Sequence, residues 1–436
     1  MTALARNRVD HLLDGQGEEL LPVATFGAQV FVFAALLHSF KVTGFGLIPP
    51  SASYGLLFGA LGVLFLAPRR VLMRLPISGL ALLMMTWIVA SLLWTDSSAA
   101  TVFAIGEQLP ILVGMIICIG LISMKDLVPS LLWFFRFSIG LTMLVTIVMP
   151  ETRMHFDEVT GAPSIDGWHG LFPHKNLMTP FLVLGILTVL TFDRNRVLRY
   201  GTVGVALVLL AGSASVTGMA AAMLAVSIWV WMQLYQNLDI RNSSIFLISS
   251  ISVGLFAILG FAASLATLTS ASGRDLTFTG RTLIWAASLD AIRDQPITGF
   301  GFGGVLVLDP TQPPTMRSAE IWRAIGFRVP HAHSGPIDLA LQLGVVGLAI
   351  FLALYVVTLT NAVGKVREQP KIGAWIVSVM VVQLFMSFSE NVFMGTGWLP
   401  MLFMFRSLLD RRHGMELDTG RTLADRVRET MQVRRW

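Results

Sequence analysis

Two arginines and two histidines flank one polar stretch, and their chemistry comes first. Arg274 and Arg281 open the segment RDLTFTGRTLIWAASLDAIRDQPITGFGFGG, and His331 and His333 stand at its far end in HAHSGPIDLALQLG. A guanidinium offers a planar fork of N–H donors that matches phosphate oxygens. A neutral imidazole accepts a proton near neutral pH and is the commonest general base. Thr277 and Thr279 suit a helix N-cap, and Trp285, Leu289 and Ile292 follow at helical spacing up to Pro296. The pattern predicts an amphipathic helix at a membrane interface with Arg281 in its first turn, where free backbone N–H groups favour an anion. An arginine that only anchors the helix to lipid headgroups fits equally well. Ser334 and Pro336 read as the N-cap and first turn of the next helix. His333 then sits at a positive helix end, which favours a neutral ring able to take a proton. A histidine that only hydrogen-bonds at the interface is the plainer alternative.

A second polar segment, GWHGLFPHKNLM at 167–178, brings His174 and Lys175 to the mouth of an apolar run. Lys175 suits a point-charge phosphate contact or, more plainly, snorkelling to headgroups. Arg136 falls inside LLWFFRFSIG, and a charge within a membrane span is paired or functional; Glu107 is a conceivable partner. The run Gly299, Gly301, Gly303, Gly304 lacks the strand and helix of a dinucleotide loop and reads as a flexible turn. His331 and His333 have no Cys or acidic ligand beside them to complete a metal site. The single cysteine, Cys118, excludes an internal disulfide.

These residues must be held by a membrane scaffold. The chain has 436 residues, 54% hydrophobic and 13% charged, against about 25% charged in a soluble domain. Apolar runs predict an all-α polytopic protein of about twelve spans, near 21–40, 52–68, 76–94, 108–124, 127–149, 176–192, 200–215, 217–236, 244–267, 336–362, 372–389 and 396–408. The first run is too long for a signal peptide and reads as a retained helix. The domain plan is a cytoplasmic tail at 1–20, nine helices over 21–267 with an outer loop at 150–175, a long outer loop at 268–335, three helices over 336–408 and a basic cytoplasmic tail at 409–436. Most Lys and Arg then fall on the cytoplasmic side, as the positive-inside rule requires, with both termini inside. The net charge of +5 is therefore a topology signal rather than a nucleic-acid one. Lys41 stands alone outside. Arg153, Lys175, Arg274, Arg281, Arg293, Arg317, Arg323 and Arg328 gather in the two larger outer loops with His155, His169, His174, His331 and His333, which reads as one outward-facing polar site.

GLFPHKN, TGRTLIW followed by P-x-x-G-x-G, and His333 followed eleven residues later by Gly344 resemble the O-antigen ligase and O-antigen polymerase superfamily. The HKN element is most similar to exopolysaccharide polymerases of the Gram-negative envelope. The resemblance implies a GT-C-like membrane glycosyltransferase, inverting, metal-independent and without cofactor. It implies an active site on the periplasmic face of the bacterial inner membrane. The implied reaction joins undecaprenyl-diphosphate-linked repeat units into exopolysaccharide, capsule or O-antigen; transfer of a finished glycan to lipid A core is the alternative. Arg281 would bind the donor diphosphate, with Lys175, Arg274, His331 and His174 around it, and His333 would deprotonate the acceptor. Membrane lipids, a flippase and a chain-length regulator are the implied partners, with no nucleic acid.

Two positions depart from the family pattern. Val216 in GSASVTG stands where many members carry Arg or Lys, so Lys175, Arg274 or Arg136 would have to replace that charge. Gln342 stands where an acid is frequent. A transporter or lipid-linked-glycan flippase is the competing class. Cations in outer loops and the lack of an internal repeat favour the enzyme, although Arg136 keeps transport open.

Overall fold

The computed structural model describes residues 23–42, 52–66, 75–156, 163–164, 167–237, 248, 252, 281–306, 315–388, 390 and 398–410. The described chain is helical apart from one antiparallel two-residue pairing, His155–Phe156 (β1) with Pro163–Ser164 (β2). The helices are α1 (Val23–Ser39), α2 (Ala52–Leu66), α3 (Gly79–Ala90), α4 (Ser98–Leu121), α5 (Met124–Val148), α6 (Lys175–Phe192), α7 (Arg196–Gly212) and α8 (Val216–Asn237). After them come α9 (Arg281–Asp294), α10 (Met316–Ile325), α11 (Gly335–Glu368), α12 (Pro370–Ser387) and α13 (Trp398–Asp410). Five of the described helices, α4, α5, α6, α11 and α12, are long and apolar enough to cross a membrane, and α1, α2, α3 and α8 are shorter apolar helices. Only helices satisfy their own backbone groups where water is absent, so apolar runs of this length fold this way. The span expected at 244–267 lies outside the described residues except for Ile248 and Ser252, as do the tails 1–20 and 411–436 and the candidates Thr277, Thr279 and Arg274.

Local sequence sets several helix ends. Ser97 caps α4 by accepting from Ala100 N, which starts that helix well before the expected residue 108. Asn195 accepts from Val197 N and Leu198 N at the start of α7. Thr315 accepts from Ser318 N before α10, and Gly326 closes that helix at φ +86°.

The core is centred on α6, whose apolar window is 83% buried by α5, α7, α8 and α12. Phe181 on α6 meets the rings of Phe40, Phe134, Phe135 and Phe172. Trp375 on α12 packs on Phe192 and Phe405 and donates its indole N–H to Thr188 Oγ1 at 3.1 Å. Phe58, Phe65, Trp133 and Val148 point outward, as a lipid-facing surface requires.

A second, smaller core lies under the polar stretch. Ile284, Ala291, Phe300, Val305, Ile321, Trp322, Ile325 and Val329 join α9, the glycine run and α10 to the start of α11. The buried face of α9 is Ile284, Ser288 and Ala291, while Leu289 is exposed. The face expected from Trp285, Leu289 and Ile292 is thus displaced, because the small side chains admit close packing and leave Leu283 and Leu289 outward.

The glycine run is fastened rather than flexible. Gly299, Gly301 and Gly303 have φ of +65°, +95° and +64°. α11 breaks at Gly344, with φ +67° and ψ −173°. The break exchanges hydrogen bonds. Val345 N and Val346 N turn to Pro296 O (2.8 Å) and Ile297 O (3.3 Å), and Leu341 O and Gln342 O accept from Phe300 N and Gly301 N. Trp87 and Trp94 donate their indole N–H groups to Leu343 O and Thr298 O, each at 3.0 Å. The P-x-x-G-x-G segment is therefore bound into the kink of the helix that carries His333 at its N-terminal end.

Candidate active site

Arg281, the first residue of α9, and His333, two residues before α11, converge on a residue that sequence reasoning missed. Glu390 lies just beyond α12 and its amide donates to Met386 O at 3.0 Å. Arg281 Nη2 donates to Glu390 Oε1 at 2.7 Å, and Glu390 Oε2 lies 3.7 Å from His333 Nδ1. Glu390 and His333 are buried, with 6% and 8% of their surface exposed. The only sequence signal for Glu390 is a lone carboxylate at the end of the apolar run 372–389, a placement that membrane energetics disfavours without a partner.

His333 is held in an unusual backbone conformation, φ +48°, which side chains beyond Cβ adopt rarely. Ser334 occupies the N-cap position of α11 without a side-chain cap bond. Asp338 Oδ1 closes the turn instead by accepting from Ala332 N at 3.0 Å. Gln342 Nε2 donates to Asp338 Oδ2 at 2.8 Å, and its Oε1 accepts from Gly303 N at 2.8 Å. A carboxylate at 342 could accept from Gly303 but could not donate to Asp338, which is a physical reason for an amide here.

The His331 ring lies against that of His333, tilted by 59° at a centroid distance of 4.2 Å, and its Nδ1 accepts from His333 N at 3.2 Å. Burial, and then the positive neighbourhood of His333, His174, Arg281 and Lys41, holds His331 well below the usual imidazole range. His174 is the N-cap of α6 and accepts from Asn176 N through Nδ1 at 3.0 Å; Lys175 is the first residue of that helix. The two polar segments therefore share one electrostatic site.

Lys41 belongs to it as well and does not stand alone. It ends α1 at φ +50°, with its N–H on His38 O and Val42 N on Leu37 O. Phe40 beside it is clamped by Phe181 and Trp398. Sequence offers no signal for this, because the charge acts on His331 from a distant part of the chain.

Among the described residues, the other basic side chains of the two polar segments are engaged within the fold. Arg153 donates to Thr146 O and Ile147 O. Arg317 pairs with Asp294 and Glu320 and covers Phe300, and Arg328 covers Trp322. Arg293 pairs with Asp290, and Arg323 donates to Ala319 O. His169 Nδ1 lies 2.6 Å from Phe172 O.

Arg136 pairs with Asp193, not Glu107, and its Nε donates to Asp193 Oδ2 at 3.1 Å. Asp193 caps the C-terminus of α6, at the end opposite Lys175, which a helix of this length puts roughly 25 Å away. Arg136 is thus engaged with Asp193 at the end of α6 away from Lys175. Val216 itself begins α8 after a turn in which Ser215 Oγ accepts from Gly218 N, and Gly212 O accepts from Trp168 N of the other polar segment.

Residues 201–352 match the family model described as O-antigen ligase. The match covers about a third of the chain and includes α8, α9, α10 and the kink of α11, hence both Arg281 and His333. It is consistent with the O-antigen ligase and polymerase superfamily and with a membrane enzyme that processes glycans. Lys41, His174, Lys175 and Glu390 lie outside the region that matches the O-antigen ligase family. No curated protein matches the chain.

Proposed function

We propose that the protein is an inverting, metal-independent glycosyltransferase. Its donor is a glycan on a polyprenyl diphosphate such as undecaprenyl diphosphate, and its product is exopolysaccharide, capsule or O-antigen built from repeat units. The observation that carries this is the meeting of Arg281 and His333 from opposite ends of the polar stretch, within the family-matched region. The leaving diphosphate gathers negative charge as its bond to the sugar breaks. In this reading Arg281 meets that charge, with Lys41 and Lys175 as further cations, and fixed cations at a low-dielectric boundary stabilise it more than water-solvated ones. His333 takes the proton of the acceptor hydroxyl, a contribution of about 10²–10⁴-fold in rate. The acceptor oxygen attacks the anomeric carbon opposite the diphosphate, so the configuration inverts. Lipid-facing apolar helices offer the polyprenyl tail a route from the bilayer.

The site belongs on the periplasmic face of the inner membrane, where the positive-inside pattern puts both polar segments. A flippase that delivers the donor and a chain-length regulator are its expected partners.

Transfer of a finished glycan to lipid A core is the second reading, favoured by the description of the matched family. Analysis of lipid-linked glycans in a deletion strain separates the two. Single repeat units left on the carrier support the polymerase, and completed chains left on the carrier support the ligase. A backlog confined to the cytoplasmic face would overturn both in favour of a flippase. Arg281→Lys should lower transfer sharply, because a point charge does not replace the fork; wild-type transfer would reduce Arg281 to an interface anchor.

A further inference from the structure

Glu390 is not accounted for by charge complementarity to the donor. A fixed carboxylate beside the arginine that binds a diphosphate weakens that attraction. Yet it is buried, and from a third part of the chain it bonds Arg281 and lies 3.7 Å from His333. The backbone of His333, at φ +48° and tied through Ala332 N to Asp338, presents the ring with Nδ1 toward Glu390. Nε2 is the ring nitrogen on the far side from Glu390, and in the proposed mechanism it takes the substrate proton.

We infer that Glu390 is a positioning residue that couples donor binding to alignment of the base: it releases Arg281 to the diphosphate and orients His333 through Nδ1. This rests on the glycosyltransferase reading above. Arg281 holds Glu390 at 2.7 Å while His333 Nδ1 lies 3.7 Å from the same carboxylate, beyond hydrogen-bond length. Diphosphate oxygens compete for the guanidinium fork. A shift of about 0.8 Å then brings the freed carboxylate into hydrogen-bond range of Nδ1. With Nδ1–H donating to Glu390, Nε2 carries the lone pair. The acceptor O–H proton passes to Nε2 and the acceptor oxygen bonds to the anomeric carbon. The anomeric C–O bond breaks, and its electron pair leaves on the diphosphate. The imidazolium lies against the Glu390 carboxylate until its proton passes to the departing diphosphate or to water.

The test uses the full chain in lipid nanodiscs and the polyprenyl-diphosphate glycan that accumulates in a deletion strain. Glu390→Gln keeps the shape and removes the charge. We expect kcat to fall roughly 10- to 100-fold, within the effect of a positioned base, while the donor KM stays level or falls because Arg281 is freed. Glu390→Asp should recover part of kcat. In a His333→Ala background, Glu390→Gln should cost nothing more, since a residue that acts through the base has no effect once the base is gone. A kcat within about twofold of wild type, or a KM that rises as kcat falls, would overturn the inference. If Glu390→Gln fails to insert, Glu390→Asp supplies the same split: a reduced kcat at level KM supports the role, and an unchanged kcat overturns it. Failure of the underlying reading looks different, because His333→Ala would then turn over at the wild-type rate.

Discussion

Gly344→Ala tests whether the kinked helix aligns the site. Gly344 has φ +67° and ψ −173°, and an added Cβ would lie 2.5 Å from Thr298 N and closer still to the carbonyl of Ile297. Those neighbours are backbone and cannot rotate away. Holding a non-glycine residue in that region costs about 1–3 kcal/mol. The bonds from Val345 N and Val346 N to Pro296 O and Ile297 O are worth about 0.5–1.5 kcal/mol each. The substitution therefore costs about 2–6 kcal/mol in strain and lost bonds, and the clash itself is escaped by the segment 296–304 lifting from α11. That segment joins α9, which carries Arg281, to the rest of the site. A misplacement of about 1 Å costs on the order of 10²-fold in rate. Gly364→Ala lies in the same helix with nothing within 4 Å of the added methyl, and should be neutral or stabilising by up to about 1 kcal/mol. Both variants would be assayed for glycan transfer in membranes at matched protein amounts. A Gly344→Ala rate within about twofold of wild type would refute the alignment role.

The Arg136–Asp193 pair should be structural. Arg136→Met leaves a carboxylate with a 2%-exposed side chain without its cation, which costs about 3–5 kcal/mol; Arg136→Met with Asp193→Asn should restore most of the melting temperature. A raised donor KM at unchanged stability would instead put Arg136 on the substrate path. His331, held below the usual imidazole range, refuses in the folded state a proton that the unfolded chain accepts. Its contribution is thus complete above about pH 6.5 and lost as the pH falls below that value. Melting in nanodiscs should drop between about pH 7.5 and about pH 5.5, less steeply in His331→Gln; equal slopes would sink the assignment. Lys41→Met should raise the donor KM about tenfold, the effect of one charge-assisted contact of roughly 1.5 kcal/mol, and Lys41→Arg should not. An unchanged KM in Lys41→Met would remove Lys41 from the site.

Much of the scaffold was legible because a bilayer leaves few choices. An apolar run long enough to span must be helical, and α5, α6 and α12 begin and end close to the limits expected from such runs. His333 before α11 and the end of α9 were legible for a local reason: Pro336 sits in the first turn of α11 and Pro296 follows the last residue of α9 whatever surrounds them. The face of α9 was not, because Ile284, Ser288 and Ala291 were selected by the helix's neighbours rather than by periodicity.

Sequence alone determined helix identity, the residue types able to hold a diphosphate or take a proton, and the glycines that permit positive φ. Those properties belong to single side chains and short runs. Tertiary structure decided the partners. Glu390 reaches Arg281 across more than a hundred residues, the charge of Lys41 acts on His331 from just beyond the first described helix, and Arg136 turns to Asp193 instead of Glu107. Each joins parts of the chain far apart in sequence, and a helix specifies its own periodicity but not which neighbour will meet it.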